Sequence, residues 1–233
     1  MFGGFMRWCF VFAVVIFSGC KKEAPPPPAP PAAVAVKPAD PDAAFWAWAA
    51  AHVAQLKTVK SGREPVIEEL SRELDKVQPG LAFELGAGKD PFELIISADG
   101  DKALFPVVTR LVAAAPALPG TKVIALRPRK DIGSFSMDLG GEKLDAKRLS
   151  FLAEPDEKAG LIALTVHIEG WTSERREAQE QAAFMLIEAA LGEGDMETKI
   201  GAVEFQPASK TPNERMKPLT ELAATVDGWK GGP

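Results

Sequence analysis

Residues 81 to 128, LAFELGAGKDPFELIISADGDKALFPVVTRLVAAAPALPGTKVIALRP, switch between two hydrophobic periods, and that switching decides the fold. LAFEL (81–85) and FELIISAD (92–99) repeat apolar residues with the short period of strands, and GAGKDP (86–91) between them reads as a hairpin turn of the longer-loop kind. After the turn DGDK (99–102), FPVVTRLVAAA (105–115) has helical spacing and is bounded by Pro116 and the Pro119-Gly120 turn. KVIALRP (122–128) then returns to strand spacing.

The same order recurs downstream. LSFLAE (149–154) and LIALTVHIE (161–169) flank a turn at PDEKAG (155–160), a long helix runs from Ser173 to Leu191 and is closed by Gly192, and IGAVEFQP (200–207) is a further strand. Leu81-Ala82-Phe83 aligns with Leu149-Ser150-Phe151, Gly100 with Gly170, and Leu126-Arg127-Pro128 with Phe205-Gln206-Pro207. The expected class is α+β: two ββαβ units, with right-handed crossover helices covering one face of a mixed sheet. SFSMDL (134–139) and EKLD (142–145) are short extended pieces between the units, and Leu219, Leu222 and Val226 mark a final helix.

Two helices precede the first unit and are expected on the same helical layer. In the first, Asp40 is the N-cap, Pro41 the first helical residue and Gly62 the stop. Phe45, Trp48, Ala49, His52, Leu56 and Val59 fall on one face, so Trp48 is expected at the centre of a buried stripe and Trp46 outside it. The second, EPVIEELSRELDKV (64–77), gathers Val66, Ile67, Leu70, Leu74 and Val77.

Before the helices the composition changes. Arg7 is followed by the apolar run WCFVFAVVIF (8–17), then FSGC (17–20), then KKEAPPPPAPPAAVAVKP (21–38). Ten apolar residues rise about 15 Å as a helix, half of a hydrocarbon core of roughly 30 Å, so the run suits a signal peptide rather than a span. FSGC resembles the lipobox of bacterial lipoproteins. The resemblance implies cleavage before Cys20 and lipidation of that cysteine, with Phe17 departing from the commoner leucine. The proline run favours an extended, semi-rigid stalk. The chain therefore divides into a signal (1–19), a lipidated cysteine and stalk (20–39) and one folded domain (40–233). By the sorting pattern of enteric lipoproteins, Lys21 in place of aspartate implies an outer-membrane anchor, with the domain in the periplasm or at the surface.

FWAW (45–48), PGLAFEL (79–85), ELIISADG (93–100), FPVVTRLVAAAPALPG (105–120) and ALRPR (125–129) resemble a family of uncharacterised bacterial proteins. The resemblance covers about residues 45 to 130, implies the α+β fold and carries no catalytic residue.

The formal charge of −5 speaks against a nucleic-acid surface. Two cysteines, both at or before position 20, and two histidines offer no zinc set and no disulfide within the domain, and no motif implies a cofactor. The first reading is a binding module on a membrane-anchored stalk, not an enzyme, with an unidentified protein or small ligand as partner. Trp46, as an exposed aromatic, and Arg127 and Arg129 of RPRK, as an anion grip, are its candidate contacts, although a solvated strand-end charge cluster is the better account of the arginines. The alternative is an envelope hydrolase using Ser97, Asp99 and His167. Ser97 and His167 stand the same distance before Gly100 and Gly170, and adjacent central strands would bring nucleophile and base within reach. The strained G-x-S-x-G elbow is absent.

Overall fold

In the computed structural model, residues 40–86, 88–133, 136–139, 141–208 and 214–229 are described. The expected signal, Cys20 and the proline-rich stalk lie outside them. The described residues all belong to one compact unit.

Helix α1 (Pro41–Leu56) begins where Asp40 accepts the Asp42 N–H at 3.1 Å, and α2 (Pro65–Val77) begins at its own proline. Strand β1 (Ala82–Gly86) runs antiparallel to β2 (Phe92–Ser97), and α3 (Phe105–Ala113) leads to β3 (Thr121–Ala125), parallel to β2. A hairpin, β4 (Ser136–Leu139) and β5 (Glu142–Asp145), stands between the units. In the second unit β6 (Leu149–Asp156) is antiparallel to β7 (Leu161–Ile168), and α4 (Arg176–Lys199) leads to β8 (Ile200–Pro207), parallel to β7. A two-residue strand, β9 (Lys217–Pro218), edges this sheet, and α5 (Leu222–Asp227) closes the described chain.

The fold is α+β, and the ββαβ order occurs twice in matching register. Phe83 pairs with Ile96 and Phe151 with Val166; Ala82 pairs with Ser97 and Ser150 with His167. The closing strands differ from expectation by one residue. Ile96 pairs with Ala125 and Val166 with Phe205, so Ala125 and not Leu126 is the counterpart of Phe205. Leu126 has already left the strand, with φ at 61° and its N–H donated to the Ile96 carbonyl at 2.8 Å.

The two units do not share one sheet. The strands form the orders β1-β2-β3 and β8-β7-β6-β9 with the hairpin separate, and each larger sheet has its own core. Leu94 and Ile96 of β2 pack with Phe45, Leu70, Leu74 and Leu111, so α1, α2 and α3 do share a layer, over the first sheet. Leu164 and Val166 of β7 pack with Leu186 and Ile187 of α4 and with Leu222 and Val226 of α5.

Helix α1 is rotated from its expected face. Phe45, Trp46, Ala49 and Leu56 are buried, whereas Trp48 is half-buried, its ring stacked on His52 at 4.5 Å. The same i, i+3, i+4, i+7 spacing fits if it starts at Asp42, and Asp42 is buried because Arg110 pairs with it. A stripe that begins on a charged residue escapes a count of apolar positions, and the alanines around it weight no face over another.

Candidate functional site

Ser97 ends β2 fully buried, and its hydroxyl oxygen accepts the Asp99 N–H at 2.9 Å to shape the turn in which Asp99 and Gly100 both take positive φ. The Asp99 carboxylate pairs with Arg127. His167 lies on β7 in the other sheet, where its Nδ1–H donates to the Pro207 carbonyl at 3.2 Å, leaving Nε2 buried without a partner. The three residues therefore do not form a hydrogen-bonded triad. Ser97 and His167 do hold corresponding positions, and that correspondence is what places them on two separate sheets.

Arg127 and Arg129 are occupied by carboxylates of the protein itself. Arg127 meets Glu84 of β1 at 3.1 Å, Glu188 of α4 at 2.7 Å, and Asp99. Burial works against its charge, but the hydrogen bonds to Asp99 and Glu188 outweigh burial and hold its pKa above the usual arginine value. Arg129 pairs with Asp227 at 2.7 Å and with Asp195, and donates from Nε to the Leu191 carbonyl at 3.2 Å. Its pKa is likewise raised by the bonds to Asp227 and Asp195. Lys130 reaches Glu84 at 3.2 Å. RPRK is thus a clamp between units, joining β1 and the β2 turn to α4 and α5, rather than an open anion grip.

A buried glutamate completes the seam. Helix α4 breaks at Gly192, which has φ 70° and ψ 162°, and a Cβ there would stand 2.9 Å from the Arg127 carbonyl oxygen and the Arg129 nitrogen. Only glycine allows this approach. The break drives Glu193, 1% exposed, into the end of the first sheet. Its Oε1 accepts the N–H groups of Ala98 at 2.9 Å and Gly100 at 3.3 Å, its Oε2 accepts that of Arg127 at 2.9 Å, and its own N–H donates to the Arg127 carbonyl at 2.9 Å. Nearby Glu197 has its pKa raised, first by burial and then by the charges of Glu188 and Glu193. The sequence signal for this seam was available in Gly192-Glu193-Gly194, two glycines flanking an acid within a helix.

Trp46 does not contribute an exposed ring. It is 3% exposed and its indole N–H donates to the Leu111 carbonyl at 2.8 Å. It lines a groove with Asp42, Ala47 and Arg110, apart from both arginines of the clamp. Among the described residues, the exposed large apolar side chains are instead Phe184 at 41% and Met185 at 38% on the outer side of α4. Met185 borders a cleft of about 370 Å³ with Met137, Pro128, Ala189, Glu84 and Lys130. Both residues fall off the stripe Ala182, Ala183, Leu186, Ile187, Ala190, which was the sequence signal for an outward apolar pair.

Among the described residues no group of His, Cys, Asp and Glu could hold a metal ion, and no helix is long and apolar enough to cross a membrane. No family model, curated protein or solved structure matches the chain.

Proposed function

We propose that the protein is a lipid-anchored component of a bacterial cell envelope, attached to the outer membrane through Cys20, with its α+β domain acting as a binding module on a proline-rich stalk. The cleft beside Met185 carries the binding part of this reading. It joins a flexible thioether, suited to adapting to an apolar side chain, to a rim of charge from Glu84 and Lys130. A protein ligand suits such a surface better than a small anion, because the neighbouring arginines are already matched by carboxylates. The hydrolase alternative lacks a comparable observation: Ser97 shapes a turn and Asp99 is paired to Arg127.

The anchor is tested by labelling with palmitate. The unsubstituted chain incorporates label and Cys20→Ala abolishes it, leaving the signal attached; labelling that persists in the variant refutes the lipobox reading. The binding surface is tested by crosslinking in the envelope, where Met185→Asp removes a crosslinked partner that Ser97→Ala retains.

A further inference from the structure

Helix α4 and the β4–β5 hairpin leave a groove between them. The cleft at Met185 is bordered by Met137, and a second cavity of about 650 Å³ is bordered by Leu139 and Gly141 of the hairpin and by Ala178 and Gln181 of α4. The step from Met137 to Leu139, about 7 Å along a strand, matches the step from Met185 to Gln181, about 6 Å along a helix, so the two cavities lie in line. The strand on this side is β4. Leu144 of β5 is fully buried, whereas its cross-strand partner Met137 and the next residue on that face, Leu139, are half-buried. Among the described residues β4 pairs with β5 alone, so its other edge is open. Leu139 and Glu142 flank a two-residue turn and exchange hydrogen bonds; by alternation, Ser136 and Asp138 turn their N–H and C=O groups to the open edge.

We propose that an extended segment of a partner protein adds to β4 as a third strand, resting on α4 and sending alternate side chains into the two cavities. The inference rests on the binding reading of the Met185 cleft and names the form of its ligand. The backbone groups of Ser136 and Asp138 supply the hydrogen bonds, and the cavities supply the selectivity. The cleft at Met185 balances Glu84 and Glu188 against Arg127 and Lys130 and has thioether walls, so it takes an uncharged apolar side chain. The second cavity sets the carboxylates of Glu174 and Glu177 against one guanidinium, that of Arg175, so it takes a cationic side chain. The ligand is therefore an extended segment with an apolar and a basic residue two positions apart. Laid over Met185, it also covers the exposed ring of Phe184, one residue away.

The probe is a phage-displayed library of random peptides, selected on the full-length chain, from which one enriched peptide is synthesised for fluorescence anisotropy. Enriched sequences are expected to carry an apolar and a basic residue two positions apart, in one chain direction. N-methylation of every second backbone amide of the peptide is expected to weaken binding at least about tenfold, while the intervening amides tolerate it, because only alternate amides face β4. Asp138→Pro is expected to weaken binding as much and to leave the thermal midpoint of the chain unchanged, since the N–H it removes is not shared with β5. Met185→Asp is expected to weaken it too, and Ser97→Ala to leave it unchanged. Uniform tolerance of N-methylation, or uniform sensitivity to it, would overturn strand addition whether or not the Asp138→Pro chain folds, in favour of a partner that docks as a helix. A peptide lost with Met185→Asp but retained with Asp138→Pro would overturn the third strand and keep the cleft as a binding site. A library that yields no enriched peptide would overturn the inference and leave the cleft to the crosslinking test.

Discussion

Trp46 and Trp48 are two positions apart in sequence and opposite in role. Trp46 is sealed in the first core and its indole satisfies the Leu111 carbonyl, so truncation removes transfer energy, a hydrogen bond and packing volume together. Trp46→Ala is expected to cost about 3–5 kcal/mol, and Trp48→Ala distinctly less, measured as urea midpoints at unchanged slope. Equal losses would place both rings in the core. Glu193 is the other residue on which much rests. Glu193→Gln keeps the shape but turns one acceptor into a donor, so either the Arg127 N–H or those of Ala98 and Gly100 face an NH₂ group. A loss of about 1–3 kcal/mol in unfolding free energy is expected, more than for a substitution at an exposed glutamate such as Glu157. Neither role was legible locally. The partners of Glu193 stand 66 to 95 positions away, and Trp46 is distinguished from Trp48 by a hydrogen bond to Leu111, 65 positions along the chain.

Among the elements, the strands and the order of their connections were legible because turn glycines and alternation coincide. Gly80, Gly100, Gly120, Gly160 and Gly170 all take positive φ. Helix ends were less so: α1 stops at Leu56, six residues before Gly62, and although the helix does break at Gly192 as expected, a further helical stretch follows it to Lys199. The segment between α1 and α2 accounts for the first difference. Glu64 accepts the N–H groups of Lys60 and Ser61, each at 2.9 Å, and so fixes a turn before Gly62. These bonds, Lys60 first, lower the Glu64 pKa to about 2. A carboxyl depressed in the folded state stabilises above its unfolded value and loses that contribution as pH falls through the folded value. The Glu64 carboxyl is therefore expected to titrate in NMR near the bottom of the carboxylate range, and Glu64→Gln to flatten the pH dependence of stability between the ordinary glutamate value and about 2. Titration at the ordinary value would show that the turn does not hold in solution.

For the whole molecule, the repeat was legible and its assembly was not. Alternation within a strand tells which face is buried but not which other strand lies alongside, and both units end in strands that could equally have joined one sheet. What keeps them as two is the break at Gly192, which inserts Glu193 and the Arg127 clamp between them. The amides of Ala98, Gly100 and Arg127 consequently belong to the first unit by chain and to the second by cover. In deuterated water their exchange is governed by how often the second unit lifts its glutamate, whereas Leu94 and Ile96, inside the first core, wait for that core to open. Mass spectrometry after short labelling would then find the turn after β2 and the interior of that strand keeping different time, and the difference would widen in Glu193→Gln through faster labelling of the turn alone.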